Sequence, residues 1–149
     1  SLNIKYSIVG HNEKDTDLEK VNLKLKKCLN NNITPILCIS ENDRDITTIN
    51  TILEKLLKDI DDISNIIFAY EPIYQIDKNE PIDLKDINIK INYIYNYLIN
   101  KYKIDPFIVY GGSVRNNIKE MLEIKNIKGV MIGKISSDIK EITKILSNI

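Results

Sequence analysis

The chain has no tryptophan, a single histidine, two cysteines and no net charge, and each scarcity removes a class of function. Lys+Arg number 21 and Asp+Glu 21, scattered rather than blocked, so no basic field exists for nucleic acid or an anionic membrane surface. No uncharged apolar run is long enough for a membrane span, and no segment has a signal-peptide layout. Without secretory context, Cys28 and Cys38 are expected to be reduced thiols of a cytoplasmic protein rather than a disulfide. No Cys/His/Asp cluster has metal-ligand spacing, so no metal site is expected. Gly/Ser linkers and low-complexity tails are also missing, and 149 residues suit one domain with one core.

What is present is regular punctuation. Apolar runs at residues 5–9, 34–39, 65–70, 106–110 and 128–132 read as strands. Between and after them, apolar residues at spacings of three and four predict helices over about 16–30, 46–60, 82–102, 116–123 and 137–146, with Asp83 as an N-cap. Five strand–helix repeats with continuously apolar strands predict a parallel sheet covered by helices. In such α/β folds the chemistry sits at the carboxyl ends of the strands. Those ends carry His11, Glu41, Glu71, Gly111-Gly112-Ser113 and Gly133.

Each of these residues has a bland reading when taken alone. His11 is as readily a solvent-facing loop imidazole as a functional one, carboxylates such as Glu71 often end strands, and most Gly-Gly-Ser triplets are only turns. On one rim the set is more specific. A carboxylate base beside an imidazole suits proton abstraction next to a carbonyl. Gly111, Gly112 and Ser113 before a short helix, with Gly133 one strand later, offer backbone N–H groups to a phosphate. Cys28 and Cys38 read as a core residue and an inert buried thiol. Tyr93, Tyr95, Tyr97 and Tyr102 read as helix packing rather than a stacking platform.

Five segments carry a family resemblance: Ile8-Val-Gly-His-Asn-Glu13, Pro35-Ile-Leu-Cys-Ile-Ser-Glu41, Ala69-Tyr-Glu-Pro72, Tyr110-Gly-Gly-Ser113 and Val130-Met-Ile-Gly133. In order and spacing they resemble the triosephosphate isomerase family over essentially the whole chain. The resemblance implies a (β/α) barrel that interconverts glyceraldehyde 3-phosphate and dihydroxyacetone phosphate, a step of glycolysis and gluconeogenesis, by proton shuttling. By position it makes Glu71 the base and His11 the electrophile. It assigns phosphate binding to Gly111, Gly112, Ser113 and Gly133, and a lid to residues 72–80, including Pro72, Ile73, Tyr74, Gln75, Ile76 and Asp77. It implies no metal and no organic cofactor.

The resemblance covers five of the family's eight βα units, beginning at its fourth strand. The first-strand lysine and asparagine that meet substrate in the family have no counterpart in these residues. Asn12 stands where the family has serine, Ser40 and Lys134 where it has glycine, Tyr74 for tryptophan and Gln75 for alanine. Asp77 and Asn79 replace the lid glycines. Lys134 either projects to solvent, obstructs a phosphate or attracts it. A five-strand arc leaves the inner sheet face without layer partners and two strand edges unpaired. The expectation is therefore an open partial barrel that self-associates, binds a complementary N-terminal half, or rearranges to cover itself. Functionally it is either an isomerase once completed or a non-catalytic remnant that binds an anion or a partner at most. A different phosphate-binding barrel enzyme is the weaker third reading.

Overall fold

The computed structural model describes residues 3–12, 17–75, 83–114 and 117–147. The elements alternate strictly: β1 (Tyr6–Val9), α1 (Leu18–Asn30), β2 (Thr34–Glu41), α2 (Ile46–Leu56), β3 (Ile67–Pro72), α3 (Leu84–Tyr102), β4 (Phe107–Tyr110), α4 (Ile118–Glu123), β5 (Gly129–Val130) and α5 (Ile139–Leu146). The five strands are parallel and lie side by side in sequence order, β1-β2-β3-β4-β5. Sequential order without a reversal means that every right-handed crossover returns over the same face. One face is therefore covered by helices and the other is left open, as in an arc of a (β/α)8 barrel.

Local chemistry starts and stops the helices. Asp17, Asp45, Asp83 and Asp138 each cap a helix by accepting backbone N–H groups of the first turn, so the expected Asp83 cap is observed. With only five glycines in the chain, left-handed turns fall to other residues: Asn32 (φ 55), Asp59 (φ 57), Lys103 (φ 59) and Asn126 (φ 73). Asn and Asp carry most of them because their short polar side chains tolerate that region best. The left-handed Lys103 closes α3, and Asp59 follows α2. α2 ends at Leu56, four residues short of the expected bound, although Leu57 and Ile60 stay buried beyond it.

The covered face holds the main core. Val21 and Leu25 of α1, Ile49 and Leu53 of α2, and Ile87, Ile91, Ile94 and Leu98 of α3 pack on Val9, Leu37, Ile39, Phe68, Tyr70, Ile108 and Tyr110. Tyr93, Tyr95, Tyr97 and Tyr102 are partly buried against this core, and so is Cys28, in keeping with their packing reading.

The open face is built in rows. Ile8, Ile36, Ile67 and Phe107 are consecutive partners across four strands. One pleat higher come Cys38, Ala69, Val109 and Gly129, and above them Ser40 beside Glu71. In a closed barrel such rows meet across the axis. Here the lowest row is half solvated, with Ile8 54% and Phe107 45% exposed, and Tyr6 and Ile4 beside it are exposed too. Two strands run further than expected, β2 through Glu41 and β3 through Pro72. Glu41 and Glu71 are thus held by ladder pairing rather than by loop.

Candidate active site

Glu71 lies at the top of β3 with its side chain wholly enclosed. Three neighbours define its carboxylate. Ser40, its partner on β2, donates to Oε2 at 2.8 Å. His11, one residue past the left-handed Gly10 that ends β1, brings Nδ1 within 2.9 Å of Oε1 while keeping 38% of its side chain exposed. That contact is close but not aligned as a hydrogen bond, and neither atom has another hydrogen-bond partner among the described residues. Cys38 lies one pleat below Ser40. Burial, then the adjacent Glu71 carboxylate, holds its thiol well above the usual range. Gly111 supplies the remaining space, since a Cβ there would sit 3.1 Å from both Glu71 Cγ and Met131 Cε.

A second polar network lies behind the rim, on the helix side. Lys90 of α3 donates to Glu41 Oε1 at 2.5 Å and to the Arg44 carbonyl at 2.7 Å. Tyr70 donates to Glu41 Oε2 at 2.5 Å, and its hydroxyl lies 3.3 Å from that of Tyr74. Tyr74 in turn donates to Asp86 at 2.6 Å and lies under the Arg44 guanidinium. Burial pushes the Glu41 carboxyl up, against the hydrogen bonds from Lys90 and Tyr70. The network fastens a short 3-10 turn at Ile73–Gln75 to β2 and α3.

The predicted site residues separate into groups. His11, Glu71 and Gly111 come together. Gly112 is fixed by crowding, since a Cβ there would fall 2.2 Å from the Tyr110 hydroxyl. Ser113 donates to the Gln75 carbonyl at 3.4 Å, joining the glycine loop to the 3-10 turn after β3. Gly133 is uncrowded, with nothing among the described residues within 4 Å of a Cβ placed on it, and Lys134 beside it is exposed to solvent. Pro72, Ile73, Tyr74 and Gln75 are placed as above. Glu13, Ile76, Asp77 and Asn79 lie outside the described residues.

Ser40, Cys38 and Lys90 belong to these sites, although the sequence reading gave none of them a site role. Lys90 did carry a signal. It is a lone cation among Ile87, Ile91, Ile94 and Leu98 on the buried stripe of α3, a position that demands a buried partner. A cavity of about 190 Å³ touches Gly10, Cys38 and Ser40. Its other walls run from Leu18, Val21, Ile52 and Leu56 in the helix layer to Asn12, Asn42, Asp43 and Ile73 past the strand ends, and Glu71 does not line it. Among the described residues, no helix is long and apolar enough to cross a membrane.

Comparison with known proteins finds relatives over the whole chain. The family profile described as Triosephosphate isomerase matches residues 1–149. Proteins named triosephosphate isomerase are similar to the chain in Mycoplasma mobile (36% identical, 94% of this chain, 61% of the relative) and Orientia tsutsugamushi (35%, 100% and 65%). A third, from Picosynechococcus, is 34% identical over 98% of this chain and 64% of its own length. The chain therefore spans under two thirds of the length of the curated relatives it matches.

Proposed function

We propose a function from the premise that this chain belongs to the triosephosphate isomerase family: it carries the proton-shuttling half of that site and works when further βα units complete the barrel. The carrying observation is the 2.9 Å approach of His11 to Glu71 on one rim, with Ser40 holding the other carboxylate oxygen. A carboxylate fixed beside an imidazole can take a proton from the carbon next to a carbonyl while the imidazole polarises the oxygen. Glu71 then returns the proton to the neighbouring carbon, and the net change is aldose to ketose. Gly112, Ser113 and Gly133 are the backbone groups available to the phosphate on the adjoining strand ends.

Completion matters physically. Among the described residues, the arc leaves β1 and β5 as edges, and the Ile8–Ile36–Ile67–Phe107 row has no layer across from it. The partner that fits is a set of parallel βα units closing both edges, whether on the same polypeptide or another. Self-association is the substitute when they are absent. A cytoplasmic setting suits the substrate and the reduced thiols.

One observation favours a second reading, a chain that does not turn over. Glu71 is fully enclosed, with Ser40 on one oxygen and His11 against the other, so catalysis requires it to move outward. The two readings part on turnover of glyceraldehyde 3-phosphate by the purified chain with and without a co-expressed segment supplying three N-terminal βα units. Activity that needs the segment and disappears in Glu71→Gln supports the isomerase reading. A well-folded complex without turnover supports the second.

A further inference from the structure

Cys38 has no part in proton shuttling, yet it completes a ligand set. A ring nitrogen of His11, Sγ of Cys38 and a carboxylate oxygen of Glu71 all lie within 4.8 Å of one another. From this geometry we infer that the three residues form a binding site for a tetrahedral transition-metal ion, zinc above others. One imidazole, one thiolate and one carboxylate are a borderline-soft mixture that zinc accepts, whereas magnesium and calcium prefer all-oxygen sets.

Two independent features support a ligand there. Glu71 is completely buried, and among the described residues its Oε1 and the facing His11 Nδ1 make no aligned hydrogen bond, only their mutual 2.9 Å contact. Polar atoms enclosed without an aligned partner are costly, and a cation bound by both, after a small outward shift of His11, would satisfy them. Ser40 meanwhile holds Oε2 at 2.8 Å, which orients the carboxylate with Oε1 toward His11. That is the support a ligating carboxylate ordinarily receives. The Cys38 thiol is the third ligand. On binding, its proton passes to solvent and the thiolate enters the coordination sphere.

Zinc bonds of about 2.0–2.3 Å set ligand atoms roughly 3.3–3.8 Å apart, so a separation of up to 4.8 Å must close by about 1 Å while the 2.9 Å contact of His11 with Glu71 opens by about 0.4 Å. His11 can supply that movement, because it is half exposed and follows the edge strand. Its exposure also marks the open side of the site, where water fills the fourth position. An ion held here takes away the base and the polariser, so metal binding and proton shuttling exclude one another. The inference does not depend on the isomerase reading and is tested without turnover.

The test is titration of the purified, reduced chain with Co(II), followed by displacement with Zn(II). One equivalent is expected to produce the visible bands of four-coordinate cobalt and a near-ultraviolet sulfur-to-cobalt band, both erased by zinc. Cys38→Ser should remove the sulfur band, while Cys28→Ser, the other thiol, should leave it intact. His11→Gln, at a half-exposed position where folding is not at stake, should weaken binding about tenfold or more. Absence of the bands, their survival in Cys38→Ser, or unchanged affinity in His11→Gln would each overturn the site.

Discussion

Lys90 of α3 and Glu41 of β2 form a 2.5 Å ion pair with both side chains enclosed, 3% and 0% exposed, although 49 residues separate them. The pair is saturated by the Arg44 carbonyl on one side and the Tyr70 hydroxyl on the other. Removing one member strands a buried charge, which costs about 3–5 kcal/mol, whereas replacing both with apolar residues of similar volume is close to neutral. Lys90→Met is therefore expected to lower stability by about that amount, and Lys90→Met with Glu41→Leu to recover most of it. Urea denaturation of the two variants checks this. A loss under about 1 kcal/mol in Lys90→Met would mean that the pair is open to water.

The pH dependence of stability should show Glu41 acting against the capping aspartates. Burial raises its folded pKa above 4.5, so the native state holds the proton longer than the unfolded chain. Its stabilising contribution is full below 4.5 and lost as pH rises through the higher folded value. Asp17 and Asp45 are lowered below 3.8, first by backbone N–H groups of Lys20 and Thr47. Their contribution is present above 3.8 and lost as pH falls. In stability profiles against pH, Glu41→Gln should gain on the parent as pH rises above 4.5. Asp17→Asn should flatten the acid limb.

Gly112 and Gly133 look alike in the sequence but differ in surroundings. A Cβ on Gly112 falls 2.2 Å from the hydroxyl of Tyr110, a fully buried ring with little room to turn. Gly112→Ala should cost about 1–3 kcal/mol as overpacking. Gly133 has a negative φ and open space, so Gly133→Ala should stay within about 0.5 kcal/mol. Thermal denaturation of both variants decides it, and equal losses would contradict this account of the loop.

The five βα units were legible because strand punctuation and helical spacing are local properties, and the sheet order follows from right-handed crossovers. His11 and Glu71 were legible because each ends a strand of the same sheet. Cys38 and Ser40 were not. Their roles depend on which face of β2 each side chain takes and on its register with β3, and Cys38 on an apolar strand reads as core. Lys90 fell between, since its misplaced charge was visible while its partner lay 49 residues away.

The open face makes a prediction about association. The Ile8–Ile36–Ile67–Phe107 row and the edges of β1 and β5 should drive concentration-dependent self-association of the isolated chain. Ile8→Lys with Phe107→Lys, at two exposed positions of that row, should shift it toward monomer. Sedimentation velocity over a range of concentrations reports this. A parent chain that stays monomeric throughout would show that the face needs no cover.

The most direct test of Glu71 as a proton-shuttling base is hydrogen exchange in substrate rather than turnover. The chain completed with N-terminal βα units is incubated with dihydroxyacetone phosphate in deuterium oxide, and deuterium at the carbon bearing the hydroxyl is followed by NMR. Incorporation by the completed parent, lost in Glu71→Gln and kept in Cys38→Ser, is the predicted result. Equal incorporation by parent and Glu71→Gln, or none from a folded, completed barrel, would contradict it.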